Sequence, residues 1–108
     1  MIESLHNLIS KRGFDDFLPG LIARFTANKL VYTINYGKPP SSSLFVRLES
    51  KDRVGEICVW ESGNCDISLL EYKKEKIIDK HCQIKSDQDF HSGLADIFLF
   101  VVNREVKN

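Results

Sequence analysis

Cysteine is scarce in this chain, and its distribution excludes two classes of protein. Cys58, Cys65 and Cys82 are an odd number and show no Cys-x-x-Cys spacing. Neither a disulfide framework nor a zinc site is expected, and small thiols packed in strands are the plainer reading. Glycine is thinly spread: six residues, none grouped into a phosphate-binding loop. A Gly-x-Ser-x-Gly elbow is also missing. Long hydrophobic runs are lacking. The longest near the C-terminus, Ile97-Phe98-Leu99-Phe100-Val101-Val102, is far too short to span a bilayer. The N-terminal Met1-Ile2-Glu3-Ser4-Leu5-His6 has neither the basic nor the apolar segment of a secretory leader. Finally, there is no excess charge of either sign, with 15 basic and 15 acidic residues. A neutral chain has no global pull toward nucleic acid or an anionic membrane. These absences predict a soluble, cytoplasmic protein without a cofactor.

What is present is an ordinary globular composition, 43% hydrophobic and 28% charged. At 108 residues, one domain over 1–108 is expected. Ile2, Leu5, Leu8 and Ile9 recur at helical spacing, and Gly13 follows as a stop. Asp15 and Asp16 offer an N-cap for a second helix over about 15–28, with Phe17, Leu18, Leu21, Ile22 and Phe25 on its apolar face.

Five strand-like runs follow. Leu30–Tyr36 is rich in β-branched and aromatic residues. Leu44–Glu49 alternates, with Leu44, Val46 and Leu48 against Phe45, Arg47 and Glu49. In Val54–Glu61, Ile57 and Val59 oppose Glu56, Cys58 and Trp60. Gly63-Asn64 is a two-residue hairpin signal leading into Cys65–Tyr72. Ile77–Ile84 is the last strand, with Ile78, Cys82 and Ile84 on one side. Ser86 with Asp89 then opens a helix carrying Phe90, Leu94, Ile97, Phe98 and Val101 on one stripe. Short turns make neighbouring strands antiparallel. The expected fold is α+β: N-terminal helices, a five-stranded antiparallel meander, and a C-terminal helix packed on the same sheet face.

Catalytic readings have little support. His6, His81 and His91 sit on separate elements, with no metal-ligand spacing. A dyad of His81 with His91 or a carboxylate would serve metal-free RNA cleavage, but no spacing selects it. Cys58 lies between Ile57 and Val59, and Cys65 beside Asp66, so neither thiol looks activated. Lys73, Lys74 and Lys76 are interleaved with Glu71 and Glu75, which fits a solvated turn better than a nucleic-acid site.

The carboxylates offer more. Asp15, Asp16, Glu49, Asp52, Glu56, Glu61 and Asp66 fall at element ends or on polar strand faces. Glu49, Glu56, Glu61 and Asp66 lie on three consecutive strands or their turns and can converge on one acidic surface. Such a surface steers a basic protein partner. The competing reading is a solvated face with Arg47 and Arg53 in cross-strand pairs. Trp60 has two readings as well. It is an interface anchor if Ile57 and Val59 face the helices, and core if both faces are covered. Trp60 and Cys65 are expected to serve packing.

Val46-Arg47-Leu48-Glu49-Ser50, then Gly55-Glu56-Ile57-Cys58-Val59-Trp60-Glu61-Ser62-Gly63-Asn64-Cys65-Asp66, resembles the TriTu family of bacterial immunity proteins. The likeness runs from about Leu44 to Leu70, with weaker agreement to the last helix. It implies a non-enzymatic inhibitor in contact-dependent growth inhibition or a similar polymorphic toxin system. The implied partner is the C-terminal domain of a cognate toxin, bound one to one in the cytoplasm, with its active site or substrate access blocked. Such toxins are often nucleases with basic substrate sites. On this reading the candidate toxin-binding residues are Asp15, Asp16, Glu49, Glu56, Trp60, Glu61 and Asp66, with no direct contact to nucleic acid or membrane. The alternatives are a small metal-independent nuclease or hydrolase, and a dimerising adaptor.

Overall fold

The computed structural model describes residues 21–37, 43–73 and 76–102. A helix, α1 (Leu21–Ala27), precedes five strands: β1 (Val31–Tyr36), β2 (Ser43–Glu49), β3 (Arg53–Trp60), β4 (Asn64–Glu71) and β5 (Lys76–Gln83). A longer helix, α2 (Asp87–Val102), follows. The strands lie in chain order, β1-β2-β3-β4-β5, and every neighbouring pair is antiparallel. This is the meander expected from the short turns. The first expected helix, with its stop at Gly13, and the N-cap pair Asp15 and Asp16 lie outside the described residues.

Period-two alternation divides the sheet into two faces. On the inner face Leu44, Val46, Leu48, Ile57 and Val59 are fully buried. Both helices cover this side. Phe25 of α1 packs against Phe98 of α2 at 6.2 Å between ring centres and against Tyr32 of β1 at 5.8 Å. Phe90, Leu94, Ile97 and Val101 supply the buried stripe of α2, at the spacing its sequence promises. Their helix lies mainly over β3. It approaches closely at Gly55, where a Cβ would stand 2.5 Å from Ile97 Cγ2 and 3.0 Å from Val101 Cγ2. Glycine here lets the helix settle onto the sheet.

The helix ends are closed by local chemistry. At the end of α1, Leu30 N–H donates to Phe25 O (3.0 Å) and Lys29 N–H to Thr26 O (2.9 Å). Lys29 takes a positive φ of 61°. This is a Schellman closure, with Leu30 and Phe25 making its apolar contact. At the start of α2, Asp89 N–H donates to Ser86 Oγ (3.2 Å), and Asp89 Oδ2 accepts from Lys85 N–H (2.8 Å). The reciprocal pair is the expected capping box, with the acid reaching one residue further back.

One expectation about a side chain needs correction. Arg53 lies on the inner side of β3 and does not join an outer-face pair. Its Nη1 donates to Phe100 O of α2 (2.9 Å), its Nη2 stands 3.3 Å from Glu71 Oε1, and its guanidinium covers the Phe100 ring at 4.5 Å. The strand end thus supplies a cation to the last carbonyls of the helix, where the helix dipole favours one. On β5, Lys80 falls between Ile78 and Cys82 on the inner side. Ile78 and Cys82 share that side and Ile84 is buried, as their spacing predicts.

Candidate functional site

The outer face of the sheet carries the polar side chains, and no described helix lies on it. The strand register arranges them in rows. Thr33, Arg47, Glu56, Ser68 and Asp79 form one row across all five strands. Asn35, Phe45, Cys58, Asp66 and His81 form the next. Among the described residues, this face presents four carboxylates (Glu49, Glu56, Asp66 and Asp79) against the single guanidinium of Arg47 and the imidazole of His81.

Cross-strand pairing orients these groups. Arg47 Nη1 donates to Glu56 Oε2 at 2.6 Å, and Arg47 Nη2 lies 3.7 Å from Glu49 Oε1. Glu49 also accepts from the Tyr72 hydroxyl at 3.4 Å. Asp66 Oδ1 stands 2.7 Å from His81 Nδ1, and Ser68 Oγ donates to Asp79 Oδ1 at 2.6 Å. The Asp66–His81 pair is well exposed, with side-chain exposures of 59% and 67%. Exposed pairs of this kind contribute about 0–1 kcal/mol to stability. Their value is in presenting charge at fixed positions.

The residues singled out from sequence divide accordingly. Glu49, Glu56 and Asp66 share the outer face on three consecutive strands, as a diagonal and not a single cluster. Trp60 is on the same face, opposite Ser43 of β2 and half-buried. Trp60 and Cys65 therefore do not pack together: Cys65 is fully buried on the inner face, directly across from Cys82. Glu61 belongs to the turn after β3, beyond the last sheet row. Asp15 and Asp16 lie outside the described residues. Sequence reasoning passed over Asp79. The signal was its place in the alternation of β5, two residues before His81 and on the same side.

The hairpin between β3 and β4 is built differently from the expected Gly63-Asn64 turn. Gly63 N–H donates to Trp60 O at 2.8 Å, so Glu61 and Ser62 are the central residues. Gly63 carries the positive φ, 95°, and Asn64 already belongs to β4. The pattern is a tight turn followed by a left-handed glycine. Gly63 O then accepts from Ile84 N–H at 2.7 Å, and Gln83 Nε2 donates to Ser62 O at 3.0 Å. The segment therefore anchors the hairpin to the end of β5.

Nucleophilic chemistry is not favoured by these surroundings. Burial pushes the Cys65 thiol well up, and the facing Cys82 adds to the shift. Burial and then the neighbouring Asp66 carboxylate push Cys58 up as well. Both thiols are held in the protonated, unreactive form. His81 and His91 cannot act together, because His81 is on the outer face and His91 is on α2 across the sheet. Among the described residues, no group of three or more His, Cys, Asp or Glu is arranged to hold a metal ion. None of the described helices is long and apolar enough to cross a membrane.

A sheet face that no described helix covers, carrying charges ordered by cross-strand pairs, has the chemistry of a protein-binding surface. The comparison with known families agrees in class. The family model described as Immunity protein TriTu matches residues 20–100, most of the chain. The chain belongs to the TriTu family of immunity proteins. No curated protein matches it.

Proposed function

We propose that this chain neutralises a cognate toxin domain by binding it, one to one, through the outer face of the sheet. The complex forms in the cytoplasm, and the toxin is a nuclease whose basic substrate site the carboxylates cover. Glu49, Glu56 and Asp66 supply the charge, joined by Asp79, and Trp60 supplies an apolar anchor at one end of the face. Glu61 extends the acidic surface past the hairpin turn, and Asp15 and Asp16, outside the described residues, complete the set of candidate contacts. The chain itself is not an enzyme.

The observation that carries this reading is the charge asymmetry of a sheet face that no described helix covers. The whole chain is neutral, yet four carboxylates oppose one arginine there. Local excess of one sign raises association rates with a partner of the other sign and rejects partners of the same sign.

The test is co-purification with the toxin domain encoded immediately upstream, followed by toxin activity on RNA and DNA. Wild-type protein should co-purify and abolish activity. Glu56→Lys with Asp66→Lys should weaken capture roughly tenfold or more, about 1.4 kcal/mol, and leave the melting profile near wild type. Failure of folded wild-type protein to bind would end the proposal. The Asp66–His81 pair at 2.7 Å supports one other reading, a small hydrolase using His81 as its base. It predicts that purified protein cleaves nucleic acid and that His81→Ala stops this. Inert wild-type protein removes it.

A further inference from the structure

The two edges of the sheet differ in chemistry. β5 carries Asp79, Lys80 and His81 in succession, and Lys80 points to the inner side. Charge along an edge, above all a charge turned inward, discourages the pairing of another strand. A two-fold pairing of β5 through Asp79 or Lys80 would also set like charges face to face. β1 has none of these features. Its sequence, Val31-Tyr32-Thr33-Ile34-Asn35-Tyr36, contains no charge, proline or glycine. Val31 is 65% exposed and Tyr32 39%. Among the described residues, no element lies beyond β1.

Hydrogen-bond geometry shows which backbone groups that edge offers. Gly37 N–H donates to Ser43 O at 3.0 Å. The antiparallel register then directs Asn35, Thr33 and Val31 toward β2. Tyr32 and Ile34 alternate with them, so their N–H and C=O groups point away from the sheet.

We infer that β1 is a self-association edge, at which two copies of this chain join antiparallel about a two-fold axis at Thr33. This register pairs Tyr32 of each copy with Ile34 of the other and closes four backbone hydrogen bonds. Thr33 meets Thr33 on the outer face, and Val31 meets Asn35. Tyr32 beside Ile34 is an aromatic–β-branched pair, and Thr beside Thr is also favourable. No charge meets a charge. The result is one continuous sheet through both copies, with the carboxylate faces side by side and uncovered. The paired segment is short and falls well below the roughly 1,600 Å² of a standard interface. The association is therefore weak and reversible, and it does not depend on the toxin reading.

Sedimentation velocity of the purified chain from about 10 μM to about 1 mM tests this across the range of weak complexes. The weight-average mass should rise with concentration toward twice the monomer value. Thr33→Lys, on an exposed position, should melt like wild type and stay monomeric throughout. A second measurement uses Thr33→Cys. In the proposed register the two Cα atoms stand about 4.5 Å apart, within disulfide range. Diamide should take one hydrogen from each thiol and leave a covalent dimer. Wild type and Asn35→Cys should give none under the same treatment. A wild-type chain that stays monomeric to the top of the range overturns the inference, as does undiminished association of Thr33→Lys. If Thr33→Lys loses toxin binding while wild type is monomeric, the edge takes a toxin strand and the proposal is likewise wrong.

Discussion

The two faces of one sheet are built from alternate residues of the same strands, yet they follow different rules. At the centre of the inner face Leu44, Val46, Leu48, Ile57 and Val59 are fully buried and positioned by close packing under the helices, and charge enters it at a strand end with Arg53 and on the edge strand with Lys80. On the outer face the polar side chains are half-exposed or exposed and positioned by pairs such as Arg47–Glu56 and Ser68–Asp79, with apolar Phe45, Val54 and Trp60 set among them. Packed cores lose stability when volume changes, whereas exposed pairs add little to it. The inner face therefore carries the fold, and substitutions at the exposed pairs of the outer face cost it little. On the proposed reading, that division lets the toxin contacts change without loss of the scaffold.

That contrast is open to direct attack. The largest effect should come from Ile57→Ala, under α2 in mid-sheet. It removes a fully buried side chain and should cost about 2–5 kcal/mol in denaturant unfolding. Survival with wild-type stability would mean that the inner face is not the core. Next comes Gly63→Ala at the hairpin. The left-handed backbone disfavours any Cβ, and the new atom would stand 2.7 Å from Ile84 O. A loss of about 1–3 kcal/mol is expected, read as a lowered melting temperature. Because the anchoring lies between elements and not on the outer face, toxin capture per folded molecule should be unchanged. The smallest effect should belong to Asp66→Asn. Its partner His81 is exposed, so stability should move by no more than about 0.5 kcal/mol. A drop as large as that of Ile57→Ala would erase the distinction between the faces. A measurable loss of toxin binding at unchanged stability would sharpen it.

Much of this is legible in the sequence. Alternation of Leu44, Val46 and Leu48 with Phe45, Arg47 and Glu49 predicts the two faces of β2, and the Ser86–Asp89 pair predicts the start of α2. The positions that misled share a physical origin. Gly63-Asn64 has the composition of a two-residue turn, but the left-handed glycine after Glu61 and Ser62 gives the hairpin its twist, and the anchor to Ile84 comes from a strand distant in sequence. Arg53 reads as a polar edge residue, although its partners, Phe100 and Glu71, are set by where α2 ends. Trp60 and Cys65 are near in sequence but on opposite faces, because the register pairs Val59 with Cys65 and so keeps odd-numbered residues inward on both β3 and β4.

The sequence by itself determined the meander and the inner core, because strand alternation, turn chemistry and helical periodicity are local, and short connections leave few ways to assemble them. The stretch from Leu44 to Leu70 also carried the family. Only the tertiary structure decided which carboxylates share a surface, since register between strands, not spacing along one, brings Asp79 beside Ser68 and His81 beside Asp66. It also decided that β1 is the uncharged edge with outward-facing backbone at Tyr32 and Ile34. An edge is defined by the strand that is not there, and the residues of β1 alone do not say which strands will flank them.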